Sequence, residues 1–373
     1  MVVPLVGRSL AAAAGGLLVL TAWASVIGTL MVPRAITSWL TRWTDLAVNG
    51  AFRMVTGAID DPRVRDRVLA AQAPAILLAQ LIAWLGISFV GYMLLLWPFE
   101  TGGLGDAFTG AGSAMFTLGF SEPRGGVPSA FVFAAAMTGL VIITLQIAYL
   151  PTLYAAFNRR ETEVALLNAR AGVPSWGPEL LARTHYALGS GVSTIDTLPD
   201  LYDRWERWAA DIAESHTSYL PLVRFRSPRP LSSWVIALLA VLDSAALILT
   251  LSPKSAPVVP ARLCLRSGFL CFREIALAMG LDVPDEPDPN TQISLTYQEF
   301  LDAVGRMRKV DFPIERDPAE AWPEFVGWRL NYEQAAYAVA KAVDAVPALW
   351  SGPRRNPGPA IPPIRPPMGR MPK

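Results

Sequence analysis

The part of the chain with the clearest chemical potential is Thr117-Leu118-Gly119-Phe120-Ser121-Glu122-Pro123. It holds no nucleophile beside a base and no set of metal-ligating side chains. What it offers is backbone carbonyl oxygen, a threonine hydroxyl and, in Glu122, a carboxylate. Other chemistry is poorly supplied. Cys264 and Cys271 are the only cysteines, and on one helix their separation is about 10 Å of rise, too far for a disulfide. With His185 and His216 as the only imidazoles, a Cys/His zinc cluster is excluded. Gly189-Ser190-Gly191 is too short for a dinucleotide fingerprint, and no Gly-Lys-Ser phosphate loop occurs. Asp282 to Asn290 lacks the glycine and spacing of a calcium loop and reads as a solvated, Pro-rich linker. No acid, base and nucleophile pair up, so we expect no enzyme, no cofactor and no resident metal.

The segments that must position this run are apolar. Of 373 residues, 52% are hydrophobic and only 17% charged, too apolar for an ordinary soluble protein. The balance of 32 Lys+Arg against 31 Asp+Glu gives no basic surface for nucleic acid. No charge occurs from Ser9 to Pro33, from Val68 to Phe99 or from Gly125 to Asn158. Each run exceeds the roughly 20 residues that cross a bilayer as helix. Three transmembrane helices are therefore expected, near Leu10–Val32, Ala75–Trp97 and Ser129–Leu153. Ala22-Trp23-Ala24 has the form of a signal cleavage site, but the apolar run continues to Val32, which favours a retained helix. Arg34, Arg42, Arg53, Arg63, Arg65 and Arg67 crowd the first connection, against Arg124 alone in the second. The positive-inside rule then places the N-terminus outside and the region after Asn158 in the cytoplasm. Within the first connection, Ile36, Trp39, Leu40, Trp43, Leu46 and Ala47 recur at helical spacing, as in a helix lying at the headgroups.

Between the second and third spans, Gly105 to Phe116 reads as a helix of about three turns, followed at once by the Thr-Leu-Gly-Phe run. In this setting the chain resembles the two-transmembrane pore module of the potassium-channel superfamily, whose filter pattern is T-x-G-[YF]-G-[DE]. The resemblance covers residues 75–157. Thr117, Gly119 and Phe120 match the pattern, and Glu122 stands at its acidic position. Ser121 replaces the second filter glycine, and Phe116 replaces a small polar residue. The resemblance implies a homotetramer in which each chain gives a quarter of a filter. Its oxygens would be the carbonyls of Thr117, Leu118, Gly119 and Phe120 with the Thr117 hydroxyl, Ser121 closing the segment and Glu122 forming a ring at the mouth. It also implies a hinge at Gly139 in the third span. Gln146 and Thr144 fit either an aqueous cavity or helix packing.

After Asn158 the periodicity is helical. Glu161 to Ala171 extends the third span, and Trp205, Trp208, Ala209 and Ile212 form an apolar face opposite Asp203, Arg207, Asp211 and Glu214. Thr296 to Glu299 has the form of a capping box, and Asp317-Pro318-Ala319-Glu320 that of a helix start. Trp322, Phe325, Trp328, Leu330 and Tyr332 read as core. Leu231 to Leu251 has the length of a span, but Asp243 in its middle favours a buried helix. His216 is either a capped histidine or a pH sensor. From Ser351 onward the chain is rich in Pro and Arg without an acid, and disorder is expected.

The expected architecture is all-α. It comprises a first span (1–33), an amphipathic connector (34–74), the pore module with a re-entrant loop (75–157), a helical cytoplasmic domain (158–350) and a disordered tail (351–373). The expected function is a tetrameric cation channel of the cell membrane, with potassium as the permeant ion, in contact with membrane lipid. The alternative is a non-conducting membrane sensor or scaffold whose helical domain binds a partner.

Overall fold

The computed structural model describes residues 5–32, 38–123, 125–186, 194–288, 291–355 and 358–364. Arg34, Ile36, Arg124, Gly189 to Gly191, Asn290 and the end of the tail lie outside them, as does the side chain of His185. The described chain is helical without a strand, as expected. Four stretches are long and apolar enough to cross a membrane: Gly7–Leu30, Pro62–Phe99, Gly126–Ala171 and Trp234–Leu251. This fits a membrane protein. The chain divides into two compact units, one of residues 1–54 and 71–155, the other of 55–70 and 156–373.

The helices are, in chain order, α1 (Leu5–Leu30), α2 (Trp39–Gly57), α3 (Pro62–Leu69), α4 (Gln72–Leu96), α5 (Leu104–Met115) and α6 (Gly126–Ala171). They continue as α7 (Gly177–Tyr186), α8 (Leu198–Ser218), α9 (Trp234–Leu251), α10 (Val258–Ala278), α11 (Tyr297–Arg308) and α12 (Pro318–Ala342).

In the first unit α1 packs along α4, and α4 packs against α5. Glycine makes the first approach close: a Cβ on Gly15 would lie 2.5 Å from the Gly91 carbonyl oxygen, and one on Gly91 2.7 Å from Val19 Cγ2. Small residues are how apolar helices bring their backbones together where no hydrophobic effect drives them. Polar side chains tie the same helices. Trp84 Nε1 donates to Ser25 Oγ at 2.9 Å, Trp23 Nε1 donates to Thr138 Oγ1 at 3.2 Å, and the Tyr92 hydroxyl lies 2.8 Å from that same Thr138 oxygen. The expected amphipathic helix exists as α2. Its Leu40 and Asn49 are buried, whereas Trp39, Trp43, Leu46 and Met54 are exposed. Gln72 Nε2 donates to Asn49 Oδ1 at 2.6 Å, which sets the face that α2 presents.

The second unit is built around α9. All eighteen of its residues are buried, enclosed by α7, α8, α10 and α12, whereas the apolar windows of the other three candidate spans are only 22, 33 and 28% buried. Of the two readings of Leu231 to Leu251, this enclosure supports the buried helix. Asp243 is not exposed to an apolar medium unpaired: it accepts from Arg329 and, at 2.8 Å, from the Tyr332 hydroxyl. Arg329 also donates to Glu333 Oε2 at 2.6 Å and to the Trp350 carbonyl at 2.6 Å. Burial opposes its charge, but Asp243 beside it, helped by the neighbouring tyrosines and Glu333, holds its pKa well above the ordinary value. The expected aromatic faces pack here too. Trp205, Trp208, Ala209 and Ile212 are buried on α8, as are Phe325 and Tyr332 on α12, with Trp322 and Trp328 packed half-buried against them. The Thr296–Glu299 capping box and the Asp317 N-cap are both formed. Cys264 and Cys271 share α10 as free, buried thiols.

His216 is fully buried on α8. Arg160 Nη1 donates to its Nε2 at 3.0 Å, so the ring proton sits on Nδ1, 3.0 Å from Ser215 Oγ. Burial, and then the Arg160 charge, hold its pKa well below the ordinary imidazole value. Arg160 donates further to the carbonyls of Leu222 and Phe225, both at 2.8 Å.

The described part of the tail, residues 351–355 and 358–364, makes specific contacts. Arg354 is buried and donates to the carbonyls of Ala345 and Val346, at 2.5 and 3.0 Å. Ile364 pairs with Val173 through two backbone hydrogen bonds, and the Ile361 amide donates to the Pro347 carbonyl at 2.8 Å. The composition is that of a disordered chain. Its described residues nonetheless make these contacts within the second unit, which composition does not register.

Candidate functional site

The Thr-Leu-Gly-Phe run begins where α5 ends. Helix α5 starts after Gly103, whose φ of +84° only glycine adopts without strain. Asp106 in its first turn accepts from the Gly102 amide at 3.0 Å and puts a negative charge at the positive end of the helix. Phe89 of α4 supports one side, with its ring edge-on to Phe108 at 5.0 Å and tilted against Phe116 at 6.4 Å. Buried Ala107, Ala111, Ala114 and Met115 face inward.

The C-terminus of α5 closes with a left-handed cap. The Thr117 amide donates to the Ala114 carbonyl at 3.0 Å, and the Leu118 amide to the Ser113 carbonyl at 2.8 Å. These are the two bonds of a Schellman motif, with Thr117 at the position usually held by glycine. Thr117 has φ of +55°, an outlier for a β-branched side chain that costs about 1–2 kcal/mol.

From this cap, four successive amides turn to one residue. Ser113 receives Leu118 N–H (2.8 Å) and Gly119 N–H (3.4 Å) on its carbonyl, and Phe120 N–H and Ser121 N–H (both 3.0 Å) on its hydroxyl oxygen. A trans peptide carries its C=O opposite its N–H. The carbonyls paired with those amides belong to Thr117, Leu118, Gly119 and Phe120, and so all four point away from α5. No described residue donates to any of them. Gly119 takes φ of +72° with nothing within 4 Å of where a Cβ would stand, so its need for glycine is conformational, not steric. Ser121 does not take a positive φ. Its amide is held by the Ser113 hydroxyl.

Thr117, Leu118, Gly119, Phe120 and Glu122 are all exposed on the single chain, and Ser121 is half-buried. Gly139 lies within α6, in the third apolar stretch. Helix α6 runs unbroken through it, and a Cβ there would overlap the Met115 carbonyl oxygen at the end of α5. Gln146 is buried, with no described partner for its Oε1, whereas Thr144 is exposed.

No protein family model, curated protein or solved structure matches the chain. The geometry of the site therefore carries the functional argument.

The residue that sequence reasoning missed is Ser113. In a stretch of Gly, Ala and Ser it looks like helix-packing filler. The one available signal is its position four residues before Thr117, the last turn before the cap, where a short hydroxyl lies within reach of the returning amides.

Proposed function

We propose that the chain is a subunit of a homotetrameric cation channel in the cell membrane, in which the carbonyls of Thr117, Leu118, Gly119 and Phe120 replace the hydration shell of a monovalent cation, potassium in the first instance. The observation that carries this is the capture of four successive amides by Ser113, which leaves four successive carbonyls facing one way without a partner among the described residues. Unpaired backbone oxygens are costly in or near a bilayer unless they line a wet or ion-filled path. A single row cannot surround an ion, and four rows about an axis can. The exposed side chains of Leu118, Phe120, Phe133, Met137 and Leu140 are consistent with surfaces that neighbouring subunits or lipid would cover. Glu122 would form the acidic ring at the mouth, and the C-terminal end of α5 would direct its negative dipole at the ion path. In this assembly the N-terminus lies outside, the second unit is the cytoplasmic regulatory domain, and α2 lies against membrane lipid.

Purified protein in liposomes tests the proposal. With a potassium or sodium gradient and a flux dye, cation flux is expected, together with a detergent-corrected mass of four chains. Protein that inserts but passes neither ion, or that is monomeric at every concentration, overturns it and leaves the sensor or scaffold as the better account.

A further inference from the structure

The four carbonyls are not held alike. The amides opposite Thr117 and Leu118 end on the Ser113 carbonyl, as part of the cap of α5, and no side-chain change can remove that acceptor. The amides opposite Gly119 and Phe120 end on one side-chain atom, Ser113 Oγ, at 3.0 Å each. Both lone pairs of that oxygen are thereby used. Ser113 is only 2% exposed, so water cannot take its place. Among the described residues nothing else buttresses this stretch: a Cβ on Gly119 would meet nothing within 4 Å, and Phe120 is exposed.

Resting on the channel assignment above, we infer that the Ser113 hydroxyl is a positioning group that holds the Gly119 and Phe120 carbonyls and thereby sets the preference between cations, while the Thr117 and Leu118 carbonyls are fixed independently by the helix cap. The Ser113 hydroxyl touches no ion. It acts by fixing two peptide planes whose oxygens do. Without it, those planes are free to rotate, and the two sites at the Glu122 end lose the fixed oxygen spacing that distinguishes a larger cation from a smaller one. The two sites at the α5 end keep theirs.

The test compares S113A with wild type, using the full chain. S113T retains the hydroxyl and S113V has the same shape without it, so that this second pair makes the comparison should S113A fail to assemble. Amide hydrogen exchange, resolved residue by residue by NMR of the detergent-solubilised protein, is expected to speed up about tenfold at Phe120 and Ser121 when the hydroxyl is removed, the scale of one lost net hydrogen bond. Exchange at Leu118 and Gly119 is expected to stay within about twofold, because their acceptor remains. The potassium-to-sodium flux ratio in liposomes is expected to fall by a similar factor of about ten and to recover in S113T. Equal acceleration at all four amides, or none, overturns the divided tether. Acceleration confined to Phe120 and Ser121 with an unchanged flux ratio overturns the role in ion preference. Absence of flux in wild type is a failure of the channel assignment instead, and the exchange pattern still decides whether the tether exists.

Discussion

Replacing Gly139 by alanine separates two accounts of the longest helix. A Cβ at this position would overlap the Met115 carbonyl oxygen and stand 3.1 Å from both the Met115 carbonyl carbon and Cγ. The obstacle is backbone, so no rotamer change relieves it, and α5 must shift away from α6. Overpacking of this kind costs about 3 kcal/mol at the upper end of its range, and the better helix propensity of alanine returns about 1, leaving a net loss of about 2 kcal/mol per chain. Gly86 of α4 is the internal control. Nothing lies within 4 Å of a Cβ there, so Gly86→Ala should gain about 1 kcal/mol. Thermal unfolding of the full chain in detergent, followed by tryptophan fluorescence, should therefore move in opposite directions for the two variants. Because Met115 lies two residues before Thr117, Gly139→Ala should also reduce cation flux. A hinge at Gly139 predicts otherwise: changed gating with stability unaltered or raised. Gly139→Ala at or above wild-type stability, with Gly86→Ala showing its gain, would refute the close-contact account.

Thr117→Gly should raise stability by about 1 kcal/mol by relieving the left-handed threonine, while lowering potassium preference through loss of its hydroxyl, measured by unfolding and flux on the same preparation. Arg329→Met should cost about 3–5 kcal/mol, because it leaves the Asp243 carboxylate buried and unpaired, and the double variant Asp243→Leu with Arg329→Met should regain most of that. If the double variant is as unstable as the single, the ion pair is not what Arg329 supplies. Burial, and then the Arg160 charge, hold the folded pKa of His216 well below that of an ordinary imidazole, so the unfolded chain binds a proton first as pH falls. Its contribution is neutral above about pH 6.5 and destabilising below, by up to about 1.4 kcal/mol per pH unit. His216→Gln should flatten this part of the stability profile, and an identical profile would contradict the assignment.

The long apolar helices were legible because charge is absent over whole stretches, a one-dimensional property. So were the local signals: the Thr296–Glu299 box and the Asp317-Pro318 start depend only on residues within one turn. The ambiguity of α9 could not be resolved at that level, since the partner that makes Asp243 tolerable is Arg329, 86 positions away. The cap of α5 was hidden for a different reason. Glycine is the residue that announces a left-handed cap, and here threonine occupies it, so the chain reversal that brings Leu118 through Ser121 back to Ser113 carries no propensity signal. The site itself was half visible: Thr117 to Phe120 stood out by type and spacing, whereas the direction of their carbonyls follows from hydrogen bonds to a residue that composition makes inconspicuous. In the tail, composition indicates disorder and carries no signal for the long-range backbone pairing of Ile364 with Val173.

The central claim, that the Thr117–Phe120 carbonyl row is the ion path, is tested most directly by potassium flux into liposomes carrying wild type or Gly119→Ala at equal protein density. Gly119 needs a positive φ of 72° but has free space around it, so alanine strains the row by about 1 kcal/mol or more in each subunit without disturbing any packed neighbour. Insertion and mass should be those of wild type, and flux should be abolished. Flux in Gly119→Ala equal to wild type would contradict the account.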